Sequence, residues 1–204
     1  MSRFAEVLGD GRLGRLKAVL VSYAADIWQA VNPSGGGAVF DLGCYPASLV
    51  QLVVDTVDGE GSFAAGQLTA TGQLTATGNV AETVAAIRFG SGVLATLHTA
   101  ETYGMTSHAE VHGEHGVISF VTNPWLPARG VNSFRWTPYH GQPEVFEIDD
   151  PLDAFDHQLR MVESAVARGR IEASRPSPRL ADSRDLIRML TTWDAAVRLA
   201  VCPG

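Results

Sequence analysis

Apolar residues recur at helical spacing at both ends of this chain and at strand spacing through its middle. Near the start, Phe4, Val7 and Leu8 share one helical face, and Gly9 stands where a helix stops. Between Arg15 and Tyr23 the pattern alternates loosely around Val19 and Val21, which predicts a strand. The loop Asn32-Pro33-Ser34 and the glycines Gly35, Gly36 and Gly37 then launch an apolar run over 38–54, long enough to favour helix over strand. Strand patterns follow at 83–89 and 93–97 around Gly90-Ser91-Gly92, at 109–112 and 117–120 around a turn at 113–116, and at 133–136 and 144–148. That regular spacing predicts a mostly antiparallel sheet. The hexamer Gly66-Gln67-Leu68-Thr69-Ala70-Thr71 recurs at once as residues 72–77. An even-numbered duplication keeps the inward and outward alternation of a strand, so it is expected to lengthen a strand or hairpin.

Two helices close the chain. Asp149 or Asp150 is expected to cap the first, with Pro151 at its first position, Gly169 at its end, and a stripe of Leu152, Phe155, Leu159, Val162 and Val166. The second carries Leu186, Leu190, Trp193 and Val197. Both read as packing helices.

Composition narrows the classes of function. The 204 residues are 46% hydrophobic and 18% charged, enough to bury a core. The net charge of −7, with no large basic cluster, disfavours nucleic acid as a partner. No apolar run approaches the length of a membrane span, and no secretory signal is visible. Two distant cysteines, Cys44 and Cys202, are not a disulfide framework, so a soluble, cytoplasmic protein is expected. Of the 15 basic residues only Lys17 is a lysine.

Three groups of residues could carry chemistry. Gly9-Asp10-Gly11-Arg12-Leu13-Gly14 fits G-x-G-x-x-G, which cradles a pyrophosphate only between a buried strand and a helix. Arg3 and Glu6 are awkward in such a strand, so these glycines are read as ending a helix and turning the chain into a strand. His108, Glu110 and His112 alternate along one strand face, a pattern zinc could use, but an edge hairpin with a wet face explains them better, and no metal is assigned. Asp41 and Tyr45, four apart, share a face if they lie on one helix, with Pro46 expected to bend it just beyond. A carboxylate and a phenol so placed can position a hydroxylated substrate and relay a proton, although the phenol needs a nearby positive charge.

The passage Gly35-Gly36-Gly37-Ala38-Val39-Phe40-Asp41-Leu42-Gly43-Cys44-Tyr45-Pro46 strongly resembles the start of the catalytic helix in the glucose–fructose oxidoreductase/inositol dehydrogenase (Gfo/Idh/MocA) family. The tyrosine form looks like the branch that contains dihydrodiol dehydrogenase. Gly11-Arg12-Leu13-Gly14-Arg15-Leu16 resembles the family's entry into its C-terminal domain, and Glu110-Val111-His112-Gly113-Glu114-His115-Gly116-Val117-Ile118 resembles its hairpin. The resemblance implies an α+β fold: an open, mostly antiparallel sheet with helices packed on one face, in a single domain over 1–204. It implies that Asp41 and Tyr45 are catalytic, Asp41 holding a sugar, polyol or diol and Tyr45 serving as acid/base. Gly35, Gly36 and Gly37 would line the cofactor, NAD or NADP.

In that family a Rossmann domain binds the dinucleotide and supplies a lysine in an E-K-P motif. This chain holds no Glu-Lys-Pro, and Lys17 sits in Leu16-Lys17-Ala18 instead. The expectation is therefore the substrate-binding, oligomerising half of an NAD(P)-dependent oxidoreductase. Such a half is not expected to bind the dinucleotide alone; it would be a fragment, the product of a split gene or the partner of a separate Rossmann-domain chain, and it is expected to self-associate through its sheet face. The alternatives are a non-catalytic binding or assembly module, and a minimal dinucleotide binder built on residues 9–14.

Overall fold

The computed structural model describes residues 1–30, 32, 34–173 and 175–201, so Pro33 and Cys202 lie outside the described residues. Helix α1 (Ser2–Gly9) buries Phe4, Val7 and Leu8, as their spacing predicts. The strands are β1 (Leu16–Ala24), β2 (Gln67–Leu74), β3 (Val80–Arg88), β4 (Leu94–Ala100), β5 (His108–Gly113), β6 (Gly116–Phe120), β7 (Gly130–Pro138) and β8 (Glu144–Asp150). They form one open sheet in the order β2-β3-β4-β1-β5-β6-β7-β8. β1 and β4 run parallel, and the other pairings are antiparallel. The architecture is α+β, in agreement with the sequence.

Helices cover one face of that sheet. The helix α3 (Cys44–Val57) packs against β1 and β4 and against α5 (Leu180–Val201), which itself lies on β2 and β3, and α3 is buried on nearly every side. Its two buried polar groups are satisfied: Gln51 Nε2 donates to the Asp182 carbonyl at 3.0 Å, and Asp55 Oδ1 accepts from the Phe63 N–H at 3.0 Å. Ala85, Ile87, Ala95 and Leu97 point into this core, whereas the alternating Val84 and Leu94 are 47% and 54% exposed on the bare face. The duplicated hexamer lengthens β2, the edge strand beside β3, as its even length allows.

Several expectations need correction. The run over 38–54 is not one helix: α2 (Ala38–Asp41) stops, the chain turns at Leu42 and Gly43, and α3 begins at Cys44. The break precedes Tyr45 instead of following Pro46. Pro46 lies in the first turn of α3, where a missing N–H removes no helical bond. Gly43 is what the close packing requires, because a Cβ there would stand 2.5 Å from the Val39 carbonyl oxygen.

The first closing helix, α4 (Ala154–Ala167), is capped by Asp153, not by Asp149 or Asp150, and Pro151 precedes it. Asp153 Oδ1 accepts from the Phe155 and Asp156 N–H groups at 3.0 Å each, and Asp156 Oδ2 accepts from the Asp153 N–H, completing a capping box. β8 extends to Asp150, which takes the earlier position out of reach. The apolar stripe of α4 is not packed. Phe155, Leu159, Val162 and Val166 are 56–72% exposed, and no residue of the helix is buried. The stripe of α5 behaves as expected, with Leu190, Trp193 and Val197 in the core.

Candidate functional site

The site is built where the two parallel strands end. Beyond Ala24 the chain lies across the end of β4: Ala25 N–H donates to the Ala100 carbonyl at 3.1 Å, and the Ile27 and Trp28 N–H groups donate to the Glu101 carbonyl at 3.0 Å. Gly37 then bridges to Val80 and starts α2. Gly36 and Gly37 have φ of 88° and 77°, a conformation that favours glycine. A Cβ on Gly36 would meet the Phe40 ring, and one on Gly37 would stand 2.5 Å from the Val80 carbonyl oxygen. Both glycines therefore let the chain pack on itself.

Asp41 and Tyr45 stand on either side of the break, on different helices. Asp41 is exposed and, with Asn32, Gly35, Gly37 and Phe40, borders a hollow of ≈ 130 Å³. Tyr45 is half-buried, with its ring centroid 4.6 Å from Tyr23 and 6.4 Å from Trp125. Tyr45, Ser48, Gln51, Trp125 and Gln158 are among the walls of a separate cavity of ≈ 350 Å³ between α3, α4 and α5, within the size range of small-molecule sites. The predicted pair thus borders two separate spaces, although the charge of Asp41 reaches the Tyr45 phenol. Burial pushes the Tyr45 phenol upward, and Cys44, Tyr23 and Asp41 push it further. Burial and Asp41 push the Cys44 thiol the same way. None of the groups that shift them is a cation, and the arginine on the same cavity wall, Arg175, is paired with Asp182 at 2.7 Å.

Sequence reasoning missed four neighbours. Thr99 continues the buried alternation of Ala95 and Leu97 on β4, Glu101 lies one residue past its end, and Tyr23 continues that of Val19 and Val21 on β1. Trp125 lies in a loop where periodicity is silent. Glu101 is buried with its Oε2 unpartnered, and burial together with the charge of Asp41 raises its proton affinity.

The remaining motifs have structural roles. Residues 9–14 lead from α1 into β1, the reverse of the strand-to-helix order a pyrophosphate cradle requires. Gly35 to Gly37 precede a helix of a single turn. The described residues therefore do not fit a dinucleotide's pyrophosphate. Glu110 pairs with His112 at 3.0 Å and with His108 at 3.7 Å on β5, and among the described residues no group of three side chains is arranged to hold a metal. Lys17 and Arg15 both pair with Glu114, at 3.1 and 2.9 Å, holding its carboxyl down at about 2. The single lysine belongs to this strand-end cluster. No described helix is long and apolar enough to cross a membrane.

Comparison with known proteins follows the same outline. A family profile described as the GFO/IDH/MocA C-terminal domain matches residues 1–119. Among solved structures, KijD10, a 3-ketoreductase from Actinomadura kijaniata in complex with TDP-benzene and NADP, is 23% identical with a TM-score of 0.69; the match covers 98% of this chain and 57% of that one. Aldose-aldose oxidoreductase from Caulobacter crescentus, complexed with glycerol, is 20% identical with a TM-score of 0.71, covering 95% of this chain and 57% of that one. An NAD binding oxidoreductase from Klebsiella pneumoniae is 14% identical with a TM-score of 0.71, covering 96% and 60%. These likenesses establish the fold, and the chain spans 57–60% of the three structures' lengths. No curated protein sequence matches the chain.

Proposed function

The chain belongs to the GFO/IDH/MocA family as a C-terminal domain, and from that membership we propose that residues 1–204 are one substrate-binding and assembly domain of an NAD(P)-dependent oxidoreductase. The substrate is a sugar, polyol or diol. The dinucleotide belongs to a Rossmann unit outside these residues, whether in the same polypeptide or in a separate chain. A nicotinamide held by that unit would supply the hydride chemistry.

The observation that carries this reading is the unassisted phenol. Tyr45 sits in the family motif with a raised proton affinity and no cation among the groups that shift it. A phenol in that state holds its proton through neutral pH and is poised to donate it. Accepting a proton from a substrate hydroxyl needs a positive charge brought by the other unit. Asp41, exposed at the end of α2, offers carboxylate oxygens as acceptors for adjacent hydroxyls. Tyr23 and Trp125 pack edge and face against Tyr45 and keep water from its ring. Gly35, Gly36 and Gly37, in the loop that enters α2, would face a nicotinamide held by the Rossmann unit.

The test is nicotinamide turnover with a panel of polyols. The chain mixed with NAD or NADP alone should give none, and reduction under those conditions would contradict the reading. Assembled with its Rossmann unit, it should turn over, and Tyr45→Phe should abolish that.

An assembly role is favoured by a different observation: Val84 and Leu94 on the bare sheet face, and Phe155, Leu159, Val162 and Val166 on α4, are exposed apolar surface. The sheet face is proposed as the self-association surface. An assembly module without catalysis would keep that association and show no dependence on Asp41 or Tyr45.

A further inference from the structure

Buried polar side chains at the site end of the sheet fall into two kinds. Thr83 is satisfied, since its Oγ1 donates to the Thr71 carbonyl at 2.8 Å and accepts from Trp193 Nε1 at 2.9 Å. Thr99 is its partner in the β3–β4 register and is fully buried, yet its Oγ1 has no partner. Two residues on, just past the end of β4, Glu101 is 2% exposed and its Oε2 has no partner either. A core that hydrogen-bonds Thr83 twice leaves Thr99 Oγ1 and Glu101 Oε2 open, as it does Trp125 Nε1 beside Tyr45. Buried groups of this kind are rarely left empty-handed.

The surroundings bear on what could complete these two groups. The Glu101 N–H donates to the Ala81 carbonyl, and its carbonyl accepts from Ile27 and Trp28, all at 3.0 Å, so the backbone is clamped beneath the site loop. Among the described residues, the charge that acts on its carboxyl is that of Asp41. Among the described residues no group of three side chains there is arranged to hold a metal ion. A threonine hydroxyl and a neutral carboxyl each offer one donor and one acceptor, which together complement a single hydroxyl oxygen. Burial and Asp41 both favour that neutral form of Glu101.

We propose that Thr99 and Glu101 form a two-point hydrogen-bonding subsite for one hydroxyl oxygen, on the buried side of Asp41. The oxygen belongs to an ordered water or to a hydroxyl of the bound polyol. The second source rests on the proposed function, whereas the subsite itself does not. A water there would connect Asp41 to the sheet; a substrate hydroxyl there would add a contact that a simple vicinal diol lacks.

The experiment is a high-resolution crystal structure of the full chain, grown without polyol and then soaked in myo-inositol, alongside Thr99→Val and Glu101→Gln. An oxygen within hydrogen-bonding distance of both side chains is expected in the wild type. If that oxygen is a water in both crystals, the subsite is hydrated, and Thr99→Val lowers stability while both variants leave myo-inositol binding intact. If an inositol oxygen replaces it, the variants weaken calorimetric binding about tenfold. An empty gap in both crystals, with Thr99→Val as stable as the wild type, overturns the inference. In that event inositol seated beside Asp41 and Tyr45 would leave the functional reading standing. Water at the subsite with no polyol bound by chain or assembled enzyme would do the reverse.

Discussion

The Tyr45 ring lies 4.6 Å from that of Tyr23 and is tilted 34° to it. This contact ties the helix that follows the glycine-Asp motif to the end of the central parallel strand. It also leaves the Tyr45 hydroxyl without a hydrogen bond among the described residues. Tyr45→Phe should therefore change stability by no more than about 0.5 kcal/mol. In the assembled enzyme the same change should lower kcat about 10²- to 10⁴-fold, the range for loss of a proton-transferring group. Thermal unfolding of the chain and steady-state kinetics of the assembly check the two halves.

Gly43 sets the relation between Asp41 and Tyr45. Its missing Cβ admits the Val39 carbonyl oxygen, so Gly43→Ala should force α2 and α3 apart and cost about 1–3 kcal/mol. Urea unfolding reads the cost, and the substitution should impair polyol binding even at temperatures where the chain remains folded.

Glu101 makes stability depend on pH. Its folded proton affinity is raised by burial and then by Asp41, the described titratable group that acts on it. Stability is therefore greatest below the ordinary carboxylate range and falls as pH rises from there through the raised folded value. Glu101→Gln should remove that fall and make the variant relatively more stable at neutral pH. Parallel slopes for the two proteins in pH-dependent urea unfolding would contradict this.

Glu114 acts in the opposite direction. Lys17 and Arg15 hold its folded value at about 2, so its contribution is present above the ordinary glutamate range and is lost as pH falls through the folded value. Glu114→Gln should flatten the acid limb of the stability profile, less so in high salt because the cluster is exposed.

Self-association should respond to the sheet face. Val84 and Leu94 are exposed on strands whose other faces form the core, so Leu94→Glu should leave folding intact and shift sedimentation toward monomer. Leu159→Ser on α4 separates the two surfaces. If it alone yields monomer, the association runs through the helix stripe instead.

The strands, α1 and α5 were legible because one buried face imposes a period of two or 3.6 on the residues. That logic failed at α4, where the stripe of Phe155, Leu159, Val162 and Val166 has the right period but no partner within the described residues. Periodicity records that a face is apolar without saying which chain covers it. The break at Gly43 was hidden because residues 38–54 are apolar throughout, and only the approach of Val39 reveals it. Asp41 and Tyr45 were found through their motif. Trp125 and Glu101 reach the site from a loop and a strand end distant in sequence, so only the folded chain brings them there.

The most direct test of the central claim is amide-shift mapping by NMR of the full chain titrated with a panel of aldoses, cyclic polyols and vicinal diols. Saturable shifts centred on residues 35–45, with Tyr23 and Trp125, and lost in Asp41→Asn, are the predicted result. Shifts confined to other surfaces, or none with any member of the panel, would contradict it.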